Sequence, residues 1–495
     1  MNVLRPNHFV LAILSGILAV AGFAPWGIFP MPILSLALLF WLWGKAENPH
    51  IAARLGWAFG LGLFGAGVGW IYVALHDYGY MPMPLAVLAT SLFVALFALF
   101  PALAGYLQAK LPVPRWVKFS LLLPTLWTLI ELFRGYFLTG FPWLTLGYSQ
   151  VPASPLAGYA PILGVYGVSL MVAVSAGLMV LFAQQRWNAQ GKVAATALLL
   201  LWLGGAVLHR VEWTTPAGEP TTVSLLQGNI AQDEKFVEGQ LVGTLETYRR
   251  LAESSDARLI VLPETALPLL RGELPESYAS ALRDHARLSG GDVLVGAFEE
   301  EHGLYYNSMF SLGASDSQSY RKNHMVPFGE FIPLRPLFGW LINDVLSIPM
   351  GDLASGGEHQ PLLHLAGQRI AMNICYEDVF GEEIIRALPQ ATLLVNTSND
   401  AWYGDSHAAI QHNQIAQMRA LETGRMMLRA TNTGVTSVIG SDGRILLMLP
   451  QHKEGVLTAQ VQGYAGATPY VRWGNWAVLG LLVLMLGVAW RRQAR

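Results

Sequence analysis

Long apolar runs are the feature of this sequence that most limits what it can fold into. They fill residues 1–209 and 473–490, whereas residues 211–465 have the mixed composition of a water-soluble domain. Only 13% of the 495 residues are charged, which is about half the proportion in ordinary globular proteins. Runs of about 17–25 apolar residues can cross a bilayer as helices. We therefore predict a membrane domain in residues 1–210, a soluble domain in 211–465 and a final span in 466–495.

Eight apolar segments can be distinguished, and we interpret each one as a membrane-spanning helix. The segments are 8–25, 30–44, 55–75, 85–107, 119–134, 161–183, 193–209 and 473–490. With eight spans, eleven Lys and Arg residues fall on one side of the membrane and only Arg134 and Arg210 on the other. Basic residues accumulate on the cytoplasmic side. This distribution predicts cytoplasmic termini and a soluble domain in a bacterial periplasm.

Residues 1–24 allow a second interpretation. Arg5, an apolar stretch and the sequence GFA are also the pattern of a cleaved secretory signal. We favour a retained span, because another apolar segment follows at once and removal of the first would disturb the charge alternation. The formal net charge of −2 gives no reason to expect a nucleic-acid partner.

Short β-rich runs alternate with helical patterns in the soluble domain. We predict strands in residues 221–229, 258–264, 291–298, 306–313, 368–377, 391–400, 434–440 and 455–461. We predict amphipathic helices in residues 275–290 and 407–428. This alternation is typical of an α/β domain whose sheets are covered by helices.

Cys375 is the only cysteine of the chain, so an intrachain disulfide and a multi-cysteine metal site are both impossible. A lone cysteine is most often an inert core residue. Cys375, however, directly follows the apolar strand 370–374, and a second apolar strand, 258–262, leads into Glu264. Sites of α/β proteins form at such strand ends. The charged loop with Lys322 lies between the two in sequence, so these residues are our candidates for catalysis.

Motifs of other enzyme classes are missing. The chain has no GxSxG elbow, no HExxH zinc helix, no Walker loop and no GxGxxG fingerprint. His407 and His412 are five residues apart on a predicted helix, so their side chains point to different faces. We predict that both are surface or hydrogen-bonding residues, and we expect neither a metal nor a cofactor.

Three motifs carry a resemblance to a known family. LPETALP with Glu264, YRKNHMVPFGEF with Lys322 and NICYED with Cys375 resemble the Glu–Lys–Cys triad of the nitrilase, or carbon–nitrogen hydrolase, superfamily. Together with TSNDAWYGDS (397–406) and the eight apolar segments, they resemble the apolipoprotein N-acyltransferase family of Gram-negative bacteria. The resemblance implies a nitrilase-like αββα sandwich after a multi-span helical domain, in the bacterial inner membrane.

The resemblance also implies a role for each site residue. Cys375 is the expected nucleophile, Glu264 the general base and Lys322 the electrophilic partner that faces the oxyanion, which the backbone N–H of Tyr376 also reaches. Glu330, Tyr376 and Glu377 are expected to support these three. The remaining candidates are substrate contacts: Phe236, which stands where the family has a tryptophan, Trp340 and Trp143.

The implied reaction has two halves. Cys375 takes an acyl chain from a phospholipid, for which we expect phosphatidylethanolamine, and the α-amine of a diacylglyceryl apolipoprotein then accepts it. Two alternatives stay open: a membrane-tethered amide or nitrile hydrolase, in which water resolves the thioester, and a transporter or lipid-binding protein with an inactive nitrilase-like domain. The eight spans argue against the first. The intact triad and the scarcity of charges in the spans argue against the second.

Two further features of the sequence have a competing interpretation. The apolar stretch 334–350 follows the Lys322 loop, and we interpret it as a mobile arm that contacts lipid; the alternative is a buried helix. The aromatic loop 135–143 suits a membrane interface whether or not it touches substrate. Glu131 and Arg134 lie three residues apart and are expected to form a pair on a helix surface.

Overall fold

The computed structural model describes residues 6–332 and 352–493, and these residues form two compact units. The described parts of 1–72, 83–212 and 472–495 make up the first, which we call the helical unit. Residues 73–82 and the described part of 213–471 make up the second, the sheet unit.

Each of the eight apolar segments contains a helix. The helices of ten or more residues in the helical unit are Pro6–Val20, Pro30–Trp43, Pro49–Gly67, Met83–Phe97, Leu99–Lys110, Leu123–Arg134, Ala160–Gln185, Ala189–Leu208 and Trp476–Gln493. Among the described residues, four helical stretches are long and apolar enough to cross a membrane, or five if one bent pair is a single span. The four are Met83–Lys110, Arg115–Arg134, Pro155–Gln185 and Ala189–Leu208. The helices within the first 43 residues are apolar but shorter.

Glu131 and Arg134 are buried, so their prediction as a surface pair is wrong. Glu131 accepts a hydrogen bond from the backbone N–H of Leu146 at 3.0 Å. Arg134 donates to the carbonyl oxygens of Phe141 and Trp143 at 2.5 and 2.6 Å. The chain after this helix folds back over the two side chains and offers them backbone groups, because buried charges require hydrogen-bond partners. Sequence spacing could not reveal this return of the chain.

The described residues of the sheet unit form fourteen strands. They are β1 (Thr215–Pro216), β2 (Thr221–Gln227), β3 (Leu259–Val261), β4 (Asp292–Glu301), β5 (Leu304–Gly313), β6 (Ser319–Arg321), β7 (Leu363–Leu365), β8 (Gln368–Ile374), β9 (Leu393–Ser398), β10 (Met427–Thr431), β11 (Ser437–Ile439), β12 (Ile445–Met448), β13 (Gly455–Val461) and β14 (Tyr464–Ala465). One six-stranded sheet has the order β13-β2-β3-β4-β5-β6, and the other has the order β12-β11-β10-β9-β8-β7. All eight predicted strands are present.

The two sheets face each other across an apolar core, and helices cover their outer faces. Val223, Leu259, Ile370 and Val395 belong to the core between the sheets. The helices Leu241–Glu253 and Glu276–Leu288 pack on the first sheet, and Ala408–Thr423 packs on the second. The centre of each sheet is parallel: β2, β3 and β4 in one, β8, β9 and β10 in the other. Parallel strands need such coverage on both faces. The predicted αββα sandwich is confirmed.

The helix predicted in residues 407–428 is shorter than expected. It ends at Thr423, where Gly424 adopts the left-handed conformation with φ of 62°, and β10 begins at Met427. Glycine takes this conformation without a steric cost, which makes it a common helix terminator. Nearly every residue of the helix is buried, so it is a central element of the unit and not the amphipathic surface helix that the sequence indicated.

Candidate active site

Three strand ends bring the predicted catalytic residues to one edge of the sandwich. Lys322 directly follows β6, Cys375 directly follows β8, and Glu264 lies three residues after β3. The Nζ atom of Lys322 is 3.3 Å from Oε1 of Glu264, and both side chains are buried. Cys375 as a residue is partly exposed, whereas the two charged side chains are buried.

The backbone is strained at two of these positions. Cys375 has a φ of 53°, and Thr265, which follows Glu264, has a φ of 48°. Residues with a Cβ atom rarely adopt this left-handed region, and where they do, the surrounding structure holds them there, often at functional sites. The strain therefore marks the same two strand ends as the side-chain chemistry.

The Glu264 carboxylate is fixed by three donors. Its Oε1 accepts from Nδ2 of Asn307 at 2.7 Å and from Lys322, and its Oε2 accepts from the backbone N–H of Asn399 at 2.8 Å. Hydrogen bonds of this kind are strongest to an ionised acceptor. These bonds hold the Glu264 carboxylate in one orientation, which a general base requires.

Lys322 is a permanent cation in this environment. Its ammonium also donates to Oε1 of Glu330 at 2.8 Å, and Oε2 of Glu330 accepts from the backbone N–H of Val326 at 2.8 Å. Burial alone would lower the pKa of Lys322, but Glu264 and Glu330 outweigh it and hold that pKa well above the usual value. Lys322 can thus stabilise negative charge but cannot act as a base near neutral pH.

The Cys375 side chain is a neutral thiol at rest. Burial of the sulfur, followed by the negative charge of Glu264, raises the pKa of Cys375 well above the ordinary thiol value. Lys322 and the Ser398 hydroxyl act in the opposite direction. Because only a thiolate is a strong nucleophile, the thiol must give up its proton to a neighbouring base before it can react.

Glu377 joins the strand end that carries Cys375 to the loop that carries Lys322. Its carboxylate accepts from the backbone N–H groups of Ile374 at 2.5 Å and Asn323 at 2.6 Å, and from the Tyr320 hydroxyl at 3.0 Å. Burial raises the pKa of Glu377 to about 7. The ring of Tyr376 is buried and meets the ring of Phe380 edge-on at 5.3 Å. Both predicted supporting residues therefore lie beside the thiol.

A second group of buried charges, which the sequence did not reveal, lies behind Cys375. We call Asp378, Asp400, His412 and Arg429 the arginine cluster. Arg429 donates to Asp378 at 3.1 Å and to Asp400 at 3.0 Å, and Nε2 of His412 is 2.8 Å from Oδ1 of Asp378. His412 is thus one of the hydrogen-bonding residues allowed by the prediction. The motif TSNDAWYGDS contained Asp400, but nothing in the sequence connected it with Arg429.

The arginine cluster contacts the site through His412. Two other interpretations of this region therefore have to be considered, a metal site and a second catalytic group. Ligand atoms of Cys375, Asp400 and His412 lie within 4.8 Å of one another, which suits a metal ion or a Cys–His–Asp catalytic group. However, a guanidinium nitrogen of Arg429 is 2.7 Å from Nδ1 of His412, and this positive charge disfavours a cation there. The two ring nitrogens of His412 also face the carboxylates of Asp378 and Asp400, which favours a structural imidazole.

Lys235 is a second lysine at the site, and the sequence reasoning missed it. Its side chain is only 2% exposed, and Nζ donates to the backbone carbonyl of Glu264 at 3.4 Å. Burial lowers the pKa of Lys235 to about 8. The surrounding sequence, QDEKF, has the composition of a solvated loop, so no pattern indicated a buried ammonium.

The three predicted substrate contacts have different environments. Phe236 is 57% exposed, next to Lys235. Trp143 belongs to the helical unit, where it is buried and its ring lies 5.3 Å from that of Trp70. Trp340 and the predicted arm 334–350 lie outside the described residues. The roles of these residues stay predictions.

Comparison with known proteins agrees with the fold and with the resemblance. The family model described as "Carbon-nitrogen hydrolase" matches residues 222–470, the part of the chain that forms the sandwich and the site. The model described as "Apolipoprotein N-acyltransferase N-terminal domain" matches residues 15–178. The sheet unit therefore places the protein in the carbon–nitrogen hydrolase class, and the helical unit is a second part beside it in the chain.

Full-length relatives narrow this class further. A protein of Nitrosomonas europaea is 51% identical over 97% of this chain and 96% of its own length. Proteins of Methylococcus capsulatus and Ralstonia nicotianae are each 44% identical, over 98% of this chain and 96% and 94% of their own. All three are named apolipoprotein N-acyltransferase. The chain belongs to the apolipoprotein N-acyltransferase family, as the motifs predicted.

Proposed function

We propose that this protein transfers an acyl chain from a phospholipid to the N-terminal α-amine of the diacylglyceryl-cysteine of apolipoproteins. The observation that carries the proposal is a partly exposed Cys375 at the same edge of the sandwich as a buried Glu264–Lys322 pair, in a chain that its relatives match over nearly their full length. A tethered amidase is disfavoured, because a single span would serve as a tether and the relatives bear a transferase name.

The first half-reaction forms a thioester. Glu264 takes the proton of the Cys375 thiol, and the thiolate attacks the carbonyl carbon of the phospholipid ester, for which phosphatidylethanolamine is the expected donor. Lys322 stabilises the oxyanion that develops on the carbonyl oxygen; one such donor typically contributes about 3 kcal/mol to lowering the barrier. The C–O bond then breaks, and Glu264 returns the proton to the departing lysophospholipid oxygen.

The second half-reaction releases the acyl chain as an amide. The neutral α-amine of the acceptor attacks the thioester carbonyl, so a C–N bond forms and the C–S bond breaks. Glu264 accepts the proton that the amine loses and passes it to the leaving thiolate, which restores the starting state. Lys322 faces an oxyanion in both halves, so the same ammonium serves both acyl transfers.

The supporting residues act on this machinery through their contacts. Glu330 holds the Lys322 ammonium, and Glu377 fixes the Lys322 loop against the strand end of Cys375. Tyr376 shapes the pocket beside the thiol. We propose that Phe236, Trp340 and Trp143 contact the lipid substrates, and that the segment 334–350 is an arm that contacts membrane lipids.

We also propose an arrangement in the inner membrane. The eight apolar segments, the last of which contains the final helix, provide eight spans. Both termini lie in the cytoplasm, and the catalytic domain 211–465 lies in the periplasm. The basic residues of the loops support this arrangement. Single cysteines introduced into successive loops of a Cys375→Ser protein test it: membrane-impermeant maleimide should label only the loops predicted to be periplasmic.

The reaction is tested with purified full-length protein, phosphatidylethanolamine labelled in its acyl chain, and a diacylglyceryl lipopeptide with a free α-amine. We expect label on the peptide amine, and a labelled, hydroxylamine-sensitive enzyme when the peptide is omitted. A lipopeptide with an acetylated α-amine is the matched control and should accept nothing. Release of labelled fatty acid without peptide acylation would identify a hydrolase and overturn the proposal, and transfer by Cys375→Ser would overturn the mechanism.

A further inference from the structure

Lys235 is buried at the centre of the candidate site, yet neither half-reaction above uses it. It lies in the turn-rich segment 229–237, which is linked to the site through Asn399. The Asn399 amide donates to Oε1 of Gln232 at 2.7 Å, and the backbone N–H of Asn399 holds the Glu264 carboxylate. This segment places the Lys235 ammonium against the backbone of the catalytic glutamate.

The environment of the ammonium is unfavourable for a mere packing residue. Its hydrogen bond to the Glu264 carbonyl is 3.4 Å long, whereas charged N–H donors usually lie at about 2.7–2.9 Å from their acceptors. Burial of a cation with one long bond costs free energy. Such a group is retained where its charge is needed, which points to the charges around it.

Lys235 belongs to a group of charges that is connected through Glu264. Glu264 and Glu330 carry negative charges, and the Lys322 ammonium lies between them, 3.3 Å from Glu264 and 2.8 Å from Glu330. Lys235 supplies the second positive charge, and it acts electrostatically on both Glu264 and Cys375. We call Glu264, Glu330, Lys322 and Lys235 the lysine cluster.

We propose that Lys235 is a second cation of the active site, a positioning residue that holds the backbone of Glu264 and whose charge favours the thiolate form of Cys375. A positive charge near the sulfur stabilises its ionised form, so without Lys235 fewer thiolates form at a given pH. The proposal rests on Cys375 being the nucleophile.

The test uses the fact that Cys375 is the only cysteine, so that thiol alkylation reports on this site alone. The rate of iodoacetamide modification is measured from pH 6 to 10 in the full-length detergent-solubilised protein, for the wild type and for Lys235→Met, Lys235→Gln and Lys235→Arg. Lys453→Met removes an exposed lysine of the same unit and is the control. Single-turnover thioester formation and thermal unfolding are followed in parallel.

We expect both neutral variants to move the alkylation profile to higher pH by about one unit or more and to slow thioester formation at least tenfold. Lys235→Arg should keep the wild-type profile below pH 8, where the Lys235 ammonium is charged, and Lys453→Met should change nothing. A wild-type profile in the neutral variants would overturn the proposal. So would equal loss of rate in the neutral and arginine variants without a shift, or a failure of both neutral variants to fold. Transfer that survives complete alkylation of Cys375 would instead contradict the role of Cys375 as the nucleophile, on which this proposal rests.

Discussion

Two buried charge clusters flank the same cysteine, and they are built differently. The lysine cluster joins its groups by single contacts, some of them long: 3.3 Å from Lys322 to Glu264 and 3.4 Å from Lys235 to the Glu264 carbonyl. In the arginine cluster, one guanidinium bridges two carboxylates at 3.0 and 3.1 Å, and one imidazole lies between the same carboxylates.

This difference separates two uses of buried charge. Lysine is a point charge whose pKa shifts readily on burial, whereas arginine stays charged and holds carboxylates in a fixed fork. Burial lowers the pKa of Lys235 to about 8. Burial also opposes ionisation of Asp400, but Arg429 and His412 outweigh this effect and lower the pKa of Asp400. We infer that the lysine cluster takes part in proton transfer and that the arginine cluster holds the neighbouring strand ends in place.

The largest expected effect is the loss of the base. Glu264→Gln keeps one acceptor oxygen, enough for Asn307 or for the backbone of Asn399 but not for both, and removes the charge, so acyl transfer should fall by about 10²–10⁴-fold. Because Glu264 raises the thiol pKa, Cys375 should be alkylated faster at pH 7 in the same variant. Glu253→Gln, in an exposed position of the sheet unit, is the control for both rates. A parallel fall of transfer and alkylation would mean that the site had merely been distorted.

Arg429→Met tests the other cluster by its effect on stability. It leaves Asp378 and Asp400 buried without their main counter-charge, which should cost about 3–5 kcal/mol of unfolding free energy. The thermal unfolding midpoint measures the loss, and Arg444→Met, which removes an exposed arginine, should change the free energy by less than about 0.5 kcal/mol. A variant of normal stability that had lost acyl transfer would reverse the roles we assign to the two clusters.

His412→Gln decides whether the imidazole is structural or catalytic. If it only holds Asp378, the loss of a hydrogen bond to a carboxylate should cost about 1.5–3 kcal/mol of stability, with the pH profile of Cys375 alkylation unchanged and transfer reduced less than tenfold. If His412 served as the base of a Cys–His–Asp group, transfer would instead fall as far as in Glu264→Gln. The ratio of the two variants in single-turnover acylation separates these outcomes.

The smallest expected effect concerns the support of the Lys322 loop. Tyr320→Phe removes one donor to Glu377 and leaves the backbone donors of Ile374, Asn323 and His324. We expect a loss of about 1 kcal/mol in unfolding free energy and a fall of only a few-fold in transfer. Tyr305→Phe, at a half-exposed tyrosine of the same sheet, is the matched control. A fall as large as that of Glu264→Gln would place the Tyr320 hydroxyl in the reaction itself.

The sequence alone predicted the two-part organisation, an α/β domain with covered sheets and the three candidate residues, and the family resemblance implied the αββα sandwich. Apolar length and alternation of strands with helices are local properties, and a thiol or carboxylate that directly follows a buried strand lies at a predictable edge of a sheet. Eight strands and the positions of Glu264, Lys322 and Cys375 could therefore be read before any contact was known. Local patterns also predicted one helix too long, because its end depends on the left-handed φ of Gly424, which the sequence pattern did not indicate.

Which charges are buried, and with which groups they pair, depended on the tertiary structure. Lys235 stands in a polar segment, whereas Arg429, Glu131 and Arg134 stand among apolar residues. All four are buried, with partners that their neighbours in sequence do not indicate. Asp378 and Arg429 are 51 residues apart, and Lys235 and Glu264 are 29 apart. Pairing of this kind depends on how strands and loops are assembled in space, since a charge can be buried only where the fold brings its counter-charge. The sequence thus predicted the candidate thiol, and the fold supplied the buried charges around it.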